Sequence, residues 1–120
     1  MKRNNQKIGK LGEDIAVKYL LRNGMEIIER NFRFDRGEID IVAKCDETLI
    51  FIEVKTRTNL EFGTPVEAVN MKKAAQIKKT AEGFLLEEGD KIDFDEIRFD
   101  IIGILLSGEK ENINHIKNAF

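Results

Sequence analysis

The tightest constraint in this 120-residue chain is the run Leu49–Val54, read LIFIEV, where Glu53 interrupts an otherwise apolar stretch. A short run rich in β-branched and aromatic residues, bounded by turn residues, predicts a β-strand. Near-continuous apolarity predicts a strand covered on both faces. Glu53 and Lys55 close that run, and charged groups in such a place need a partner or a task.

The neighbouring segments predict a sheet around it. Met25–Phe34 and Glu38–Cys45 (EIDIVAKC) read as the two preceding strands, with turns at Asp35-Arg36-Gly37 and Cys45-Asp46-Glu47-Thr48. Before them, Ile8, Leu11, Gly12, Ile15, Ala16, Tyr19 and Leu20 recur at helical spacing, and Asn23-Gly24 ends the pattern. After them, a helix is predicted from about Val66 to Glu87, capped by Thr64 with Pro65 in its first turn and Glu67 three residues after the cap. Met71, Ala74, Ile77, Ala81, Phe84 and Leu85 form its expected buried stripe. Ile97–Leu106 reads as a buried strand, and Ile113–Phe120 as a short strand or docked end. Tight turns favour antiparallel neighbours; a helix between strands favours a parallel crossover. The expected fold is one α/β domain over residues 1–120, ordered helix, three strands, helix, strand, with a mixed sheet flanked by helices.

Strand geometry then places the polar residues. Side chains alternate along a strand, so Glu38 and Asp40 share one face while Ile39, Ile41 and Ala43 share the other. In the next strand Phe51, Glu53 and Lys55 share a face opposite to Ile50, Ile52 and Val54. A two-residue loop at Asp46-Glu47 pairs Cys45 with Thr48, Ala43 with Ile50, Asp40 with Glu53 and Glu38 with Lys55. Opposed Cβ atoms stand roughly 4.5–5.5 Å apart, and two carboxylates at that separation repel unless a proton or cation intervenes. One reading is a hard-cation site, because Asp and Glu oxygens suit Mg²⁺ or Mn²⁺. A nearby lysine can then orient a water or stabilise charge on a phosphate oxygen. The other reading is ion pairing, Glu38 with Lys55, on a solvated sheet face.

Composition removes several alternatives. One cysteine excludes a disulfide framework and a multi-cysteine zinc site, and one histidine excludes most histidine-based metal sites. Cys45 reads as a packed thiol and His115 as structural or surface. No apolar run approaches the roughly 20 residues that span a bilayer, and the start of the chain is polar and basic without a signal-peptide core. A cytoplasmic protein with no membrane partner is the expectation. Twenty basic and 22 acidic residues leave a net charge of -2, which alone argues mildly against nucleic acid. The charges are segregated, however. Lys2, Arg3, Lys7 and Lys10, and then Lys72, Lys73, Lys78 and Lys79, form basic segments, while acids crowd residues 82–100.

Asp40, followed after twelve residues by Glu53-Val54-Lys55, resembles the D…(D/E)-x-K signature of the restriction-endonuclease-like nucleases, whose core order matches the one read here. Gly12-Glu13-x-x-Ala16, Arg30-Asn31-x-Arg33, Gly37-Glu38-Ile39-Asp40, Phe51–Arg57, Phe62-Gly63-x-Pro65-x-Glu67-Ala68-Val69, Arg98-Phe99-Asp100 and the ending Ile116–Phe120 together resemble the YraN-like family. That bacterial family is assigned to this nuclease fold and likened to Holliday-junction resolvases. The resemblance implies Asp40 and Glu53 as metal ligands for Mg²⁺ or Mn²⁺ and Lys55 as the catalytic lysine. It implies Glu13 as an additional catalytic acid, and Glu38 and Gln76 as supporting residues. Some related nucleases follow the glutamine with Tyr four residues later; here Thr80 stands there. The ligand implied is DNA, branched or single-stranded, and a homodimer would suit a resolvase. Arg33, Arg36, Arg57, Lys72 and Lys73 are candidates for phosphate contacts, and Phe62 for stacking on a base.

Two functions from different classes follow: a metal-dependent, structure-selective DNA endonuclease of repair or recombination, and a non-catalytic nucleic-acid-binding or adaptor module on the same fold.

Overall fold

The computed structural model describes residues 2–61 and 63–120, with side chains for 5–61 and 63–120. Phe62 and the side chains of Lys2 and Arg3 lie outside the described residues. Helix α1 (Lys2–Arg22) is followed by strands β1 (Glu26–Phe34), β2 (Gly37–Cys45) and β3 (Thr48–Arg57). Helix α2 (Met71–Glu88) then leads to β4 (Glu96–Ser107) and β5 (Lys110–Ile116). The five strands form one sheet in chain order, antiparallel except for the parallel pair β3–β4. The expected mixed sheet is therefore present, with a fifth strand at Lys110–Ile116 that begins three residues before the expected tail segment and ends four before its close.

Each helix covers one face of the sheet. Ile15, Ala16 and Leu20 of α1 pack with Ile41, Ala43, Ile50, Ile52, Val54, Ile102 and Ile104. Ile77, Ala81 and Phe84 of α2 pack with Phe32, Ile39, Val42, Leu49 and Phe51. This two-sided burial is what the unbroken apolarity of β3 demanded. The helix α1 ends in a Schellman arrangement: Met25 N donates to Leu20 O at 3.0 Å, and Gly24 N to Leu21 O at 3.1 Å. Gly24 takes the left-handed conformation (φ 81°) that this ending needs. Further up α1, a Cβ on Gly12 would fall 1.8 Å from Thr56 Oγ1, so the missing side chain lets the helix lie against β3.

Three expectations need correction. The second helix does not run from Val66. Val66–Ala68 is a short 3-10 turn, and α2 begins at Met71. Thr64 and Glu67 do form a reciprocal capping box, Thr64 N to Glu67 Oε2 at 3.0 Å and Glu67 N to Thr64 Oγ1 at 3.3 Å, but it closes that turn. Asn70, a better N-cap, restarts the chain by accepting from Lys73 N at 2.9 Å. Met71 consequently sits at the helix end, 89% exposed, and leaves the buried stripe. Lastly, Ile39 does not share a face with Ile41: it packs under α2, and Ile41 under α1. The strand turns over at Asp40, opposite Asn31, which adopts a left-handed φ of 54°.

Candidate functional site

The β2–β3 hairpin has the expected loop, with Cys45 paired to Thr48 and Asp46 in the left-handed region (φ 53°). Its ladder continues in the expected register to Ile41 and Ile52 and then stops. Just beyond, where Asp40 and Glu53 come level, the strands part. The Asp40 side chain takes over the bonding: Oδ2 accepts from Val54 N at 2.8 Å. Asp40 is thereby fixed in the opening between the strands, with the nearly inaccessible Glu53 (3% exposed) beside it.

The electrostatics of this pair are unfavourable in the absence of a cation. The Asp40 carboxyl is pushed up to about 8, first by burial and then by the charge of Glu53. The close approach of Glu53 and the charge of the more distant Glu13 act in the same direction, and the Val54 amide opposes them. Two ammonium groups approach the other member of the pair. Lys55 Nζ lies 3.5 Å and Lys73 Nζ 3.6 Å from Glu53 Oε2. The arrangement contains two adjacent carboxylates and two lysines at the point where β2, β3 and the first turn of α2 meet.

The other candidate residues sit around this centre in different ways. Glu13, half-buried on α1, accepts from Asn31 Nδ2 at 3.0 Å and lies 3.6 Å from Arg30 Nη2. It therefore borders the pair without closing a cage; among the described residues no three acidic, histidine or cysteine side chains group to enclose an ion. Mg²⁺ does not require such a cage, since it is commonly held by one or two carboxylates, waters and substrate phosphates. The donor set fits that pattern, with hard oxygens on two carboxylates and lysines to balance a bound phosphate.

Glu38 departs from the expected pairing. It accepts from Arg33 Nε at 2.8 Å, across the β1–β2 ladder, rather than meeting Lys55. The reason is the turnover at Asp40, which separates the end of β2 from β3. Gln76 donates to the Arg36 carbonyl at 3.4 Å. Neither is hydrogen-bonded to Asp40, Glu53 or Lys55. Arg33, Arg36 and Lys72 are exposed, and Arg33 is already engaged by Glu38. Arg57 is half-buried at the end of β3, with its Nε enclosed and without a hydrogen-bond partner among the described residues.

Two features escaped the sequence reading. Lys73 was a candidate for phosphate contact, yet it reaches Glu53. Its position one turn before the buried Ile77 was a usable signal, because residues four apart share a helix face. The second is a buried polar network on β4. Asp100 is fully buried and accepts from Arg98 Nε and Nη2, each at 2.9 Å. It also accepts from Asn118 N at 2.9 Å and lies 2.8 Å from His115 Nε2. The Tyr19 hydroxyl meets His115 Nδ1 at 2.9 Å, which ties α1 to β5. His115 is thus structural, as expected, but far more deeply engaged than a tail residue suggests. Cys45 is half-buried against the core, consistent with a packed thiol.

Fold and site together define an α/β protein that holds a carboxylate pair and two lysines at the opening of a central hairpin. Comparison with known sequences specifies it further. Residues 12–104 match the family described as "Uncharacterised protein family UPF0102". The chain is 50% identical over 119 residues to a UPF0102 protein of Dictyoglomus turgidum, covering 98% of this chain and 99% of that protein. It is 46% identical over 116 residues to a UPF0102 protein of Alkaliphilus oremlandii, at 97% and 99% coverage. The chain belongs to the UPF0102 family, the YraN-like group that its motifs resemble. Among the described residues no helix is long and apolar enough to cross a membrane.

Proposed function

We propose that this protein is a divalent-cation-dependent phosphodiester hydrolase acting on DNA, with a restriction-endonuclease-like core and a preference for branched or single-stranded substrates. The observation that carries the reading is the Asp40–Glu53 pair, mostly removed from water, with Lys55 and Lys73 beside it. A half-buried Asp40 beside a buried Glu53 is unfavourable for folding, and the arrangement makes physical sense when a cation completes it. Asp40 and Glu53 would hold Mg²⁺ or Mn²⁺. When bound, that ion supplies charge neutralisation at the scissile phosphate and a water of lowered pKa.

The chain's own residues account for the rest. The Val54 amide holds Asp40 in one orientation through Oδ2. Lys55, on the same edge of β3, can orient the attacking water or stabilise charge on a phosphate oxygen. Lys73 brings a second positive charge from α2 toward the same carboxylate. Recombination or repair is the setting that the resemblance to resolvases suggests.

The test pairs Mn²⁺ binding by calorimetry with a nuclease panel of duplex, single strand, flap, four-way junction and RNA. Wild type is expected to bind Mn²⁺ and cut at least one DNA. Asp40→Ala and Glu53→Ala lose the metal, and Lys55→Ala keeps it but loses cleavage. Metal-independent, salt-sensitive nucleic-acid binding that survives Glu53→Ala, with no cutting anywhere on the panel, would replace this reading with that of a binding module.

A further inference from the structure

Beside the carboxylate pair lies a cleft of about 520 Å³ between the first half of α1 and the end of β3. Asn5, Gly9 and Glu13 line it from the helix, and Lys55, Arg57 and Asn59 from the strand and the loop after it. Two features of its lining bear on what it could hold. Arg57, half-buried, lines the cleft wall, and among the described residues its enclosed Nε has no hydrogen-bond partner, so the guanidinium is not committed to the protein through that atom. Gly9 stands inside a helix, where glycine is the least favourable residue after proline. Gly12, three residues on, is explained by the close approach of Thr56, but a Cβ on Gly9 would meet nothing described within 4 Å. No described part of the chain uses the space that Gly9 leaves.

We infer that this cleft seats one unpaired nucleotide flanking the cleaved bond, with its phosphate on Arg57 and its sugar and base in the space above Gly9. The inference rests on the hydrolase reading, since Lys55 and Glu13 border both the cleft and the carboxylate pair, and it deepens it by selecting the strand form. A guanidinium matches phosphate oxygens in a two-pronged fashion. The Asn5 and Asn59 amides and the Thr58 hydroxyl offer hydrogen bonds to sugar or base edges. A base still paired and stacked within a duplex cannot enter a pocket between a helix and a strand end. The cleft therefore recognises a strand that is single, frayed or displaced at a branch.

Gly9→Leu plugs the cleft, and Arg57→Gln removes its anion-binding group. The measurement is fluorescence anisotropy of labelled short oligothymidylate, oligouridylate and a blunt duplex, at low salt with EDTA. Both variants are expected to weaken single-strand binding by about tenfold or more, the scale of a lost charge-assisted hydrogen bond or stacked base, with little change for the duplex. The two oligonucleotides separate deoxyribose from ribose as the preferred sugar, and preference for either supports the assignment. Thermal unfolding of Gly9→Leu should be unchanged or raised, because the helix gains propensity and no contact is lost. A marked drop would mean that the protein fills the space itself, and the assignment would fall. Equal weakening for duplex and single strand would overturn the selection of an unpaired strand, and unaltered binding by Gly9→Leu would overturn the cleft as a subsite. Wild type that takes up Mn²⁺ and cuts, with Gly9→Leu binding normally, defeats this inference alone. Cleft-dependent binding without Mn²⁺ uptake or cleavage defeats the hydrolase reading alone.

Discussion

Asp40 on β2 and Asp100 on β4 are both withdrawn from water, yet their neighbours treat them in opposite ways. Asp100 is met by a two-pronged Arg98, by His115 and by the Asn118 amide. Burial pushes its carboxyl up, but these donors outweigh burial and hold it below the usual carboxylate range. Asp40 receives one amide hydrogen and faces a second acid, and it is raised to about 8. A buried carboxylate with every lone pair answered is part of the scaffold. One set against its own kind is a site kept ready for positive charge from outside the chain.

The sharpest way to break that comparison is to remove Asp100. Asp100→Ala leaves the Arg98 guanidinium and the Asn118 amide without their acceptor and removes one of the tethers that hold the end of the chain to β4, beside the Ala119 N–Phe99 O bond. Breaking a buried, paired charge by deleting one partner typically costs about 3–5 kcal/mol. Urea unfolding should show a loss of that order, with Mn²⁺ affinity unchanged where the protein stays folded. A loss under about 1 kcal/mol would mean that the network is not the clamp it resembles.

The pH dependence of stability separates the two acids next. Between pH 3.8 and about 8, folded metal-free protein retains a proton on Asp40 that the unfolded chain has released. The folded state binds more protons in that window, so stability is highest at its lower end and falls as pH rises through it. The unfolding free energy from urea titrations should decline by an amount on the order of a few kcal/mol, given about 1.4 kcal/mol per pKa unit. Asp100 works in the other direction: its contribution is present above pH 3.8 and is lost as pH falls through its depressed folded value. Asp40→Asn should flatten the first limb only, and Asp100→Asn the second only. Saturating Mn²⁺ should abolish or reverse the Asp40 limb, because the metal takes the place of the proton.

Asp40→Asn also isolates the like-charge repulsion itself. The amide oxygen can still accept from Val54 N, so the shape of the opening is kept. At pH 8 without metal, the variant is expected to gain about 1–2 kcal/mol over wild type, the scale of one pKa unit of relieved interaction. It should fail to bind Mn²⁺. A destabilised variant would show that Asp40 is held for the fold, as Asp100 is.

The difference between the two acids also marks how far the sequence could be read. The hairpin register followed from alternation and a two-residue loop, and it brought Asp40 level with Glu53 without any knowledge of the fold. The helix order and the mixed sheet followed from periodicity and connection length. What escaped was set by contacts distant in sequence. The Asp100 network joins α1, β4 and β5, and no local pattern links Tyr19 to His115. The turnover at Asp40 depends on the left-handed Asn31 across the ladder, a conformation that a polar strand residue does not announce. The break before α2 was missed: the Thr64–Glu67 box is a valid helix start, and it drew the reading away from Asn70, which caps the true one.

The smallest expected effect belongs to a third acid, Glu38, two residues before Asp40 on the same strand. Its partner Arg33 is 80% exposed, and the pair lies across the outer ladder of the sheet. An ion pair so open to solvent contributes about 0–1 kcal/mol and weakens with salt. Glu38→Gln should therefore shift the urea midpoint slightly at low salt and not at all at high salt. Mn²⁺ affinity should stay within about twofold of wild type, since Glu38 points its charge at β1 rather than at the opening. If Glu38→Gln instead lost metal binding on the scale expected of Asp40→Asn, the site would extend along β2. The contrast between an answered and an unanswered carboxylate would then no longer suffice to say which acids act and which only hold.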